Sequence, residues 1–322
     1  MCTHCGCSSS NEITVTNLQT GQHVHLPGDF DPDAPTPAHD HAHTHTHEHT
    51  HDDGRDHAHS HNQEHSHPRE HSHAHQHGHG HSHDHLHAHD HSHLLVHAVP
   101  PKNRVVQIEQ ALLAKNARLA ERNRGWFEGR RVLALNLMSS PGAGKTTLLE
   151  RTLRDCSEAF SFHVIEGDQA TTRDADRIRR AGGRAVQVNT GTGCHLDAAM
   201  VAAALKQLDP PPGSVVLIEN VGNLVCPALF DLGEHARVVV ASVTEGDDKP
   251  IKYPHMFRAA NVVVLNKVDL CPHVEFDVAA FERRARELNP DVRILRVSAA
   301  RGTGMEEWKE WLNEQQIQLQ KA

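Results

Sequence analysis

The chain has 322 residues, 37% of them hydrophobic, and a formal net charge of −9 with its 33 histidines neutral. The acidic balance argues against a general nucleic-acid grip, and the only basic cluster, Arg177, Arg179 and Arg180, reads as a solvated helix face. No apolar run of about 18 residues offers a membrane-spanning helix, and the polar, cysteine-bearing start lacks the order of a signal peptide, so a cytoplasmic protein is expected.

In a reducing cytosol the seven cysteines are better placed as thiolate metal ligands than as disulfides. Composition changes sharply near residue 98. Ahead of that point stand a head (1–38) and a histidine tract (39–97); behind it, residues 98–322 supply a leading helix and a globular domain. The head opens on Cys2-x-x-Cys5-Gly6-Cys7, three thiolates that a flexible glycine allows to face one ion. With the α-amine as fourth donor, a planar set suits Ni²⁺ and a tetrahedral one suits Zn²⁺.

The tract holds 24 of the 33 histidines between His39 and His93, alternating with small or acidic residues as in His81-Ser82-His83-Asp84-His85. That period matches no packed helix or covered strand, and the segment cannot bury enough apolar surface to offset chain entropy. It reads as a disordered, multidentate store for borderline metals, emptied on mild acidification. After Pro100-Pro101, Val105, Ile108, Leu112 and Leu119 predict a helix that ends near Gly125 and packs on the domain.

From Arg131 on, aliphatic runs alternate with amphipathic patterns, which predicts an α/β fold: a mostly parallel sheet of about seven strands with helices on both faces. The strands expected are 132–138, 162–166, 184–189, 215–219, 238–244, 262–266 and 292–297. The helices between them are 145–156, 173–181, 196–208, 277–288 and 305–319.

Ser139-Ser140-Pro141-Gly142-Ala143-Gly144-Lys145-Thr146-Thr147 follows a buried strand and opens a helix, the setting of a P-loop. Backbone N–H groups of Gly142, Ala143 and Gly144 would cradle phosphates, with Lys145 bridging the β- and γ-oxygens. The Thr146 hydroxyl would reach Mg²⁺, and Thr147 follows it into the helix. Ser139 stands where a glycine is usual, so its φ should be negative.

About 120 residues further, Asn266-Lys267-Val268-Asp269 ends another strand. Asp269 can accept from both the N1–H and the exocyclic amine of guanine, Asn266 supports the loop and base, and the Lys267 stem covers the ring. Adenine would leave the carboxylate unpaired, a discrimination of up to about 10⁴ to 10⁵. Ser298-Ala299 supplies a further base-facing loop, and GTP is the expected nucleotide.

Two acidic strand ends, Asp168 and Glu219, divide the Mg²⁺ shell and the orientation of attacking water between them, with the assignment open. A further metal site is suggested by Cys194-His195 and Cys226. Three protein ligands are too few for a closed site, so a two-fold dimer could place two such sets face to face. Cys156 and Cys271 read as core or loop thiols.

The triple-cysteine head, the histidine tract, the phosphate loop, Glu166-Gly167-Asp168-Gln169, Gly193-Cys194-His195-Leu196-Asp197, the Glu219-to-Pro227 run and Asn266-Lys267-Val268-Asp269 together resemble the HypB family of hydrogenase nickel-incorporation GTPases, in the SIMIBI class of P-loop proteins. The resemblance covers the head and essentially all of residues 102–322. It implies a GTP-dependent homodimer that delivers nickel to the large subunit of a nickel–iron hydrogenase alongside a HypA-type chaperone. It also implies a tight nickel site at Cys2, Cys5 and Cys7 and a second metal site at Cys194, His195 and Cys226.

Overall fold

Nine strands form the main sheet. The computed structural model describes residues 13–26, 46–47, 59–60, 102–168, 177–178, 180–191 and 193–321. Cys2, Cys5 and Cys7, nearly all of the histidine tract, the start of the helix expected at 173–181 and the side chain of Asp168 lie outside the described residues.

In chain order the strands are β1 (Ile13–Asn17), β2 (His23–Leu26), β3 (Thr46–His47), β4 (His59–Ser60), β5 (Leu133–Ser139), β6 (Phe162–Asp168), β7 (Arg184–Asn189), β8 (Val215–Glu219), β9 (Ala236–Ser242), β10 (Val262–Asn266) and β11 (Arg293–Arg296). The nine-stranded sheet has the order β11-β10-β9-β5-β8-β6-β7-β1-β2. Its seven strands from β5 to β11 are parallel, and the hairpin β1–β2 joins the edge of β7 antiparallel. Apart from that sheet, β3 and β4 pair with each other, Thr46 opposite Ser60.

All seven expected strands are present, their ends moved by two residues at most. The strand expected at 238–244 stops at Ser242 because the Ser242 hydroxyl accepts the Thr244 N–H at 3.2 Å and the Ser242 carbonyl accepts that of Glu245 at 3.1 Å, which turns the chain. The hairpin is an addition to the expected sheet, and it draws part of the head, residues 13–26, onto the parallel strands. Val15 is fully buried and Leu26 is 3% exposed, both packed with Val186, Val188 and Leu205.

The helices are α1 (Lys102–Gly129), α2 (Lys145–Cys156), α3 (Ala198–Leu208), α4 (Cys226–Leu229), α5 (Lys249–Lys252), α6 (Pro254–Arg258), α7 (Val278–Leu288) and α8 (Met305–Lys321). A 3₁₀ helix, Val268–His273, follows β10. Central β5 is buried along its whole length. Its alternate residues divide between the faces: Leu135 and Leu137 pack with Leu148 of α2 and Trp308 of α8, while Ala134 packs with Phe127 of α1 and Val201 of α3. A third cluster, with Val239, Phe257 and Phe281, covers the β9–β10 side.

The leading helix runs one turn past Gly125, because Phe127 is fully buried beneath the sheet, and it ends where Arg131 takes a left-handed φ of 53°. Two of its asparagines hold the start of α3. Asn116 accepts the Ala198 N–H at 2.9 Å, and Asn123 donates to the Ala198 carbonyl at 2.9 Å. Arg177, expected on a solvated face, also pairs with Glu150 of α2 at 2.8 Å and approaches the Thr147 hydroxyl at 3.4 Å.

Candidate functional site

The phosphate loop lies between β5 and α2, at the carboxyl ends of the parallel strands, where sheets of this kind bind ligands. Gly142 and Gly144 have φ of 79° and 97°, whereas Ser139 is absent from the described positive-φ residues, as its serine side chain requires. A Cβ on Gly144 would lie 2.5 Å from Nδ2 of Asn266, so glycine is needed there for space as well as for φ. Lys145, 9% exposed, donates from Nζ to Ser139 Oγ at 3.0 Å, and that hydroxyl donates to the Ser140 carbonyl at 2.7 Å. The ammonium group is thus held over the end of β5, pointing into the loop.

The loop expected to read the base is tied directly to the phosphate loop. Asn266, 2% exposed, donates to the Ala143 carbonyl at 3.0 Å and accepts from the backbone of Lys267 at 2.8 Å and Ala299 at 3.1 Å. Lys267 adopts a left-handed φ of 62° and donates from Nζ to the Gly142 carbonyl at 2.7 Å, which lays its stem beside the site. Asp269 follows in the 3₁₀ helix with its side chain 28% exposed, and the Arg301 guanidinium is 4.0 Å away. Ser298 is turned into its own loop, its Oγ accepting the Arg301 N–H at 3.2 Å.

Glu219, at the end of β8, is 5% exposed and accepts the Thr146 hydroxyl at 2.7 Å. This pair offers hard oxygen donors beside the phosphate loop, a donor set that fits Mg²⁺. Asp168 ends β6, in register with Asn189 of β7. Just beyond Glu219, Gly222 lies against the phosphate loop, since a Cβ there would approach Pro141 at 3.2 Å.

The sulfur and nitrogen ligand atoms of Cys194, His195 and Cys226 all lie within 4.8 Å of one another. Cys194 and His195 come from the loop before α3, and Cys226 opens α4. Cys194 Sγ is 3.7 Å from His195 Nδ1, and the imidazole lies on Phe230 with ring centroids 3.9 Å apart. Burial pushes the His195 pKa down to about 4, so at neutral pH the ring is uncharged, with one nitrogen carrying a lone pair and the other its N–H. Two thiols and a neutral imidazole form a soft-to-borderline set suited to nickel or zinc. Cys156, buried under α8, and Cys271 lie apart from this group.

A family model for the CobW/HypB/UreG nucleotide-binding domain matches residues 133–296. Hydrogenase maturation factor HypB of Azotobacter chroococcum is 56% identical over 214 residues, 66% of this chain and 70% of its own length. Among solved structures, HypB from Archaeoglobus fulgidus has a TM-score of 0.60 at 42% identity, over 63% of this chain and 99% of that one. HypB from Helicobacter pylori in complex with nickel has a TM-score of 0.60 at 40% identity, over 63% and 96%. The chain belongs to the HypB family of hydrogenase maturation factors.

Several side chains in this HypB site carry no sequence signal of their own. Glu245, after β9, accepts from the Ser140 hydroxyl and from the Ser242 N–H, the latter at 3.1 Å, anchoring the phosphate loop to the next strand. Asn220, 1% exposed, accepts the N–H groups of Leu196 and Val221, each at 3.0 Å, and donates to Asn136 at 3.3 Å. Phe230 backs the His195 ring. An Asn or Glu after a strand end is common, and only the folded loops show what these touch.

Proposed function

We propose that this HypB-family chain hydrolyses GTP to GDP and phosphate and uses that cycle to bind, store and deliver nickel for maturation of a nickel–iron hydrogenase. The observation that carries the reading is continuity: from Glu219, which the end of β8 presents to Thr146, the chain runs on through Gly222, against the phosphate loop, to Cys226 of the candidate metal-ligand trio. Asp269 reads guanine. Lys145 binds the β- and γ-oxygens, and its Ser139 contact holds it ready for them. Thr146 and Glu219 would hold Mg²⁺, whose role is to screen charge on the phosphates. Glu219 and Asp168 share the metal shell and the orientation of water.

Nickel is cargo, and zinc is the alternative occupant at Cys194, His195 and Cys226. The nickel in the Helicobacter pylori relative supports that choice of metal. Three ligands from one chain leave the shell open, which supports a GTP-dependent homodimer that brings two sets together. Cys2, Cys5 and Cys7 form the tight nickel site, the tract from His39 to His97 is the store, and delivery to the hydrogenase large subunit proceeds with a HypA-type partner in the cytoplasm. No helix among the described residues is long and apolar enough to cross a membrane.

Nickel titration of the reduced protein, with GTP analogue and with GDP, tests the coupling by following nickel–thiolate absorption in Cys2→Ala and Cys194→Ala variants. The affinity of the site lost in Cys194→Ala should differ between the two nucleotide states. Equal affinities would remove the proposal, because a nucleotide with no differential effect shifts nothing.

A further inference from the structure

We propose that Asn223 is the positioning residue that transmits nucleotide state to the metal ligands. The inference rests on the coupling put forward above and names the side chain that carries it. Asn223 comes immediately after Gly222, the residue lying on Pro141 of the phosphate loop. Its amide nitrogen donates to the Cys194 carbonyl at 3.3 Å, and its amide oxygen accepts the Val225 N–H at 2.9 Å. One side chain therefore bridges the two segments that supply the ligands: the first bond fixes Cys194 itself, the second the residue before Cys226.

The chemistry demands an amide. Bridging a carbonyl and an N–H takes a donor and an acceptor on one short side chain, which asparagine provides and aspartate, acceptor only when ionised, does not. Asn223 is partly exposed, so it can change partners without opening the core. Asn220, three residues earlier and 1% exposed, behaves differently: bonded to Leu196, Val221 and Asn136, it pins the bases of both segments. With Asn220 as the fixed point, a displacement of Gly222 by an arriving or departing phosphate moves Asn223, and with it the separation of Cys194 from Cys226. The ligands then tighten or part while the sheet stays still.

Coupling is reciprocal, so it can be read from the nucleotide side, where metal held elsewhere in the chain does not interfere. The full-length protein is titrated with fluorescent GDP and with a fluorescent non-hydrolysable GTP analogue, each with and without saturating Ni²⁺. The readout is the factor by which nickel changes the ratio of the two affinities. Wild type should show at least about a fivefold change, the lower end of ordinary allosteric coupling. Cys226→Ala should show none, and nickel at its other sites cancels against this reference.

Asn223→Ala and Asn223→Asp should bring the factor within about twofold of unity. Both should keep their metal-free nucleotide affinities and the nickel–thiolate absorption that Cys226→Ala loses. A wild-type factor of one would refute the coupling reading itself. Full coupling in Asn223→Ala alongside a coupled wild type would overturn the role of Asn223 alone. Loss of the Cys226-dependent absorption in Asn223→Ala would also overturn it, because Asn223 would then build the site rather than inform it.

Discussion

At Gly144 two demands coincide. The residue caps α2 at a φ of 97°, and its open side leaves room for the amide of Asn266. Asn266 in turn joins the phosphate loop to both loops proposed to face guanine, through Ala143, Lys267 and Ala299. Gly144→Ala should therefore weaken GTP and GDP binding at least tenfold, from about 1–2 kcal/mol of left-handed strain plus displacement of Asn266, while the core remains folded. Fluorescent-nucleotide titration beside a melting curve checks it: unchanged affinity would mean that the two loops are not mechanically joined. This part of the site was legible in the sequence because phosphate and guanine each demand fixed residue types at fixed local spacing. Asn223 and Glu245 were not, since their partners lie 29 and 105 residues away and only folding brings them together.

At the scale of elements, the parallel strands announce themselves as continuous aliphatic runs, since both faces are covered. The β1–β2 hairpin does not. Ile13-Thr14-Val15-Thr16-Asn17 is a short strand whose stability depends on an edge to pair with, and β7 provides it: Val15 lies opposite Val188 and Thr14 opposite Asn189. Val15→Asp would bury an unpaired carboxylate in that cluster. It should detach the hairpin and lower stability by about 3 kcal/mol or more. Hydrogen exchange at the amides of β7 would report the loss, and unchanged protection would show that the hairpin adds nothing to the sheet.

Part of the acid sensitivity arises within strand β6. His163 of β6 is 1% exposed, and burial, aided by the Arg184 charge, holds its pKa below the ordinary histidine value. The unfolded chain then binds a proton that the folded one resists. This contribution to stability is complete above the unfolded value near 6.5 and declines as pH falls below it. Urea unfolding at pH 7 and pH 5.5 should show a smaller drop for His163→Leu than for wild type, and equal drops would assign the acid loss elsewhere.

For the whole molecule, the hairpin sets direction. Ile13 pairs with Leu26, and Thr14 with Asn189 at the carboxyl end of β7, so both free ends of the hairpin lie at the end of the sheet that carries Glu219 and Asn266. Among the described residues, none from 27–101 contributes to the three hydrophobic clusters.

Deleting His39 to His93 should therefore spare the fold. It shortens the connection between Leu26 and Lys102 from about 75 residues to about 20, which by loop-closure entropy raises stability by roughly 1 kcal/mol. GTP turnover should be unchanged, nickel capacity should fall, and hydrogenase maturation should persist when nickel is abundant. Lys145→Ala should show the opposite pattern, with capacity intact and maturation lost even in excess nickel, because the ammonium proposed to meet the phosphates is gone. Measuring capacity, turnover and maturation on both variants separates delivery from storage. Maturation that survives Lys145→Ala but fails without the tract would make this chain a nickel buffer with an idle nucleotide site.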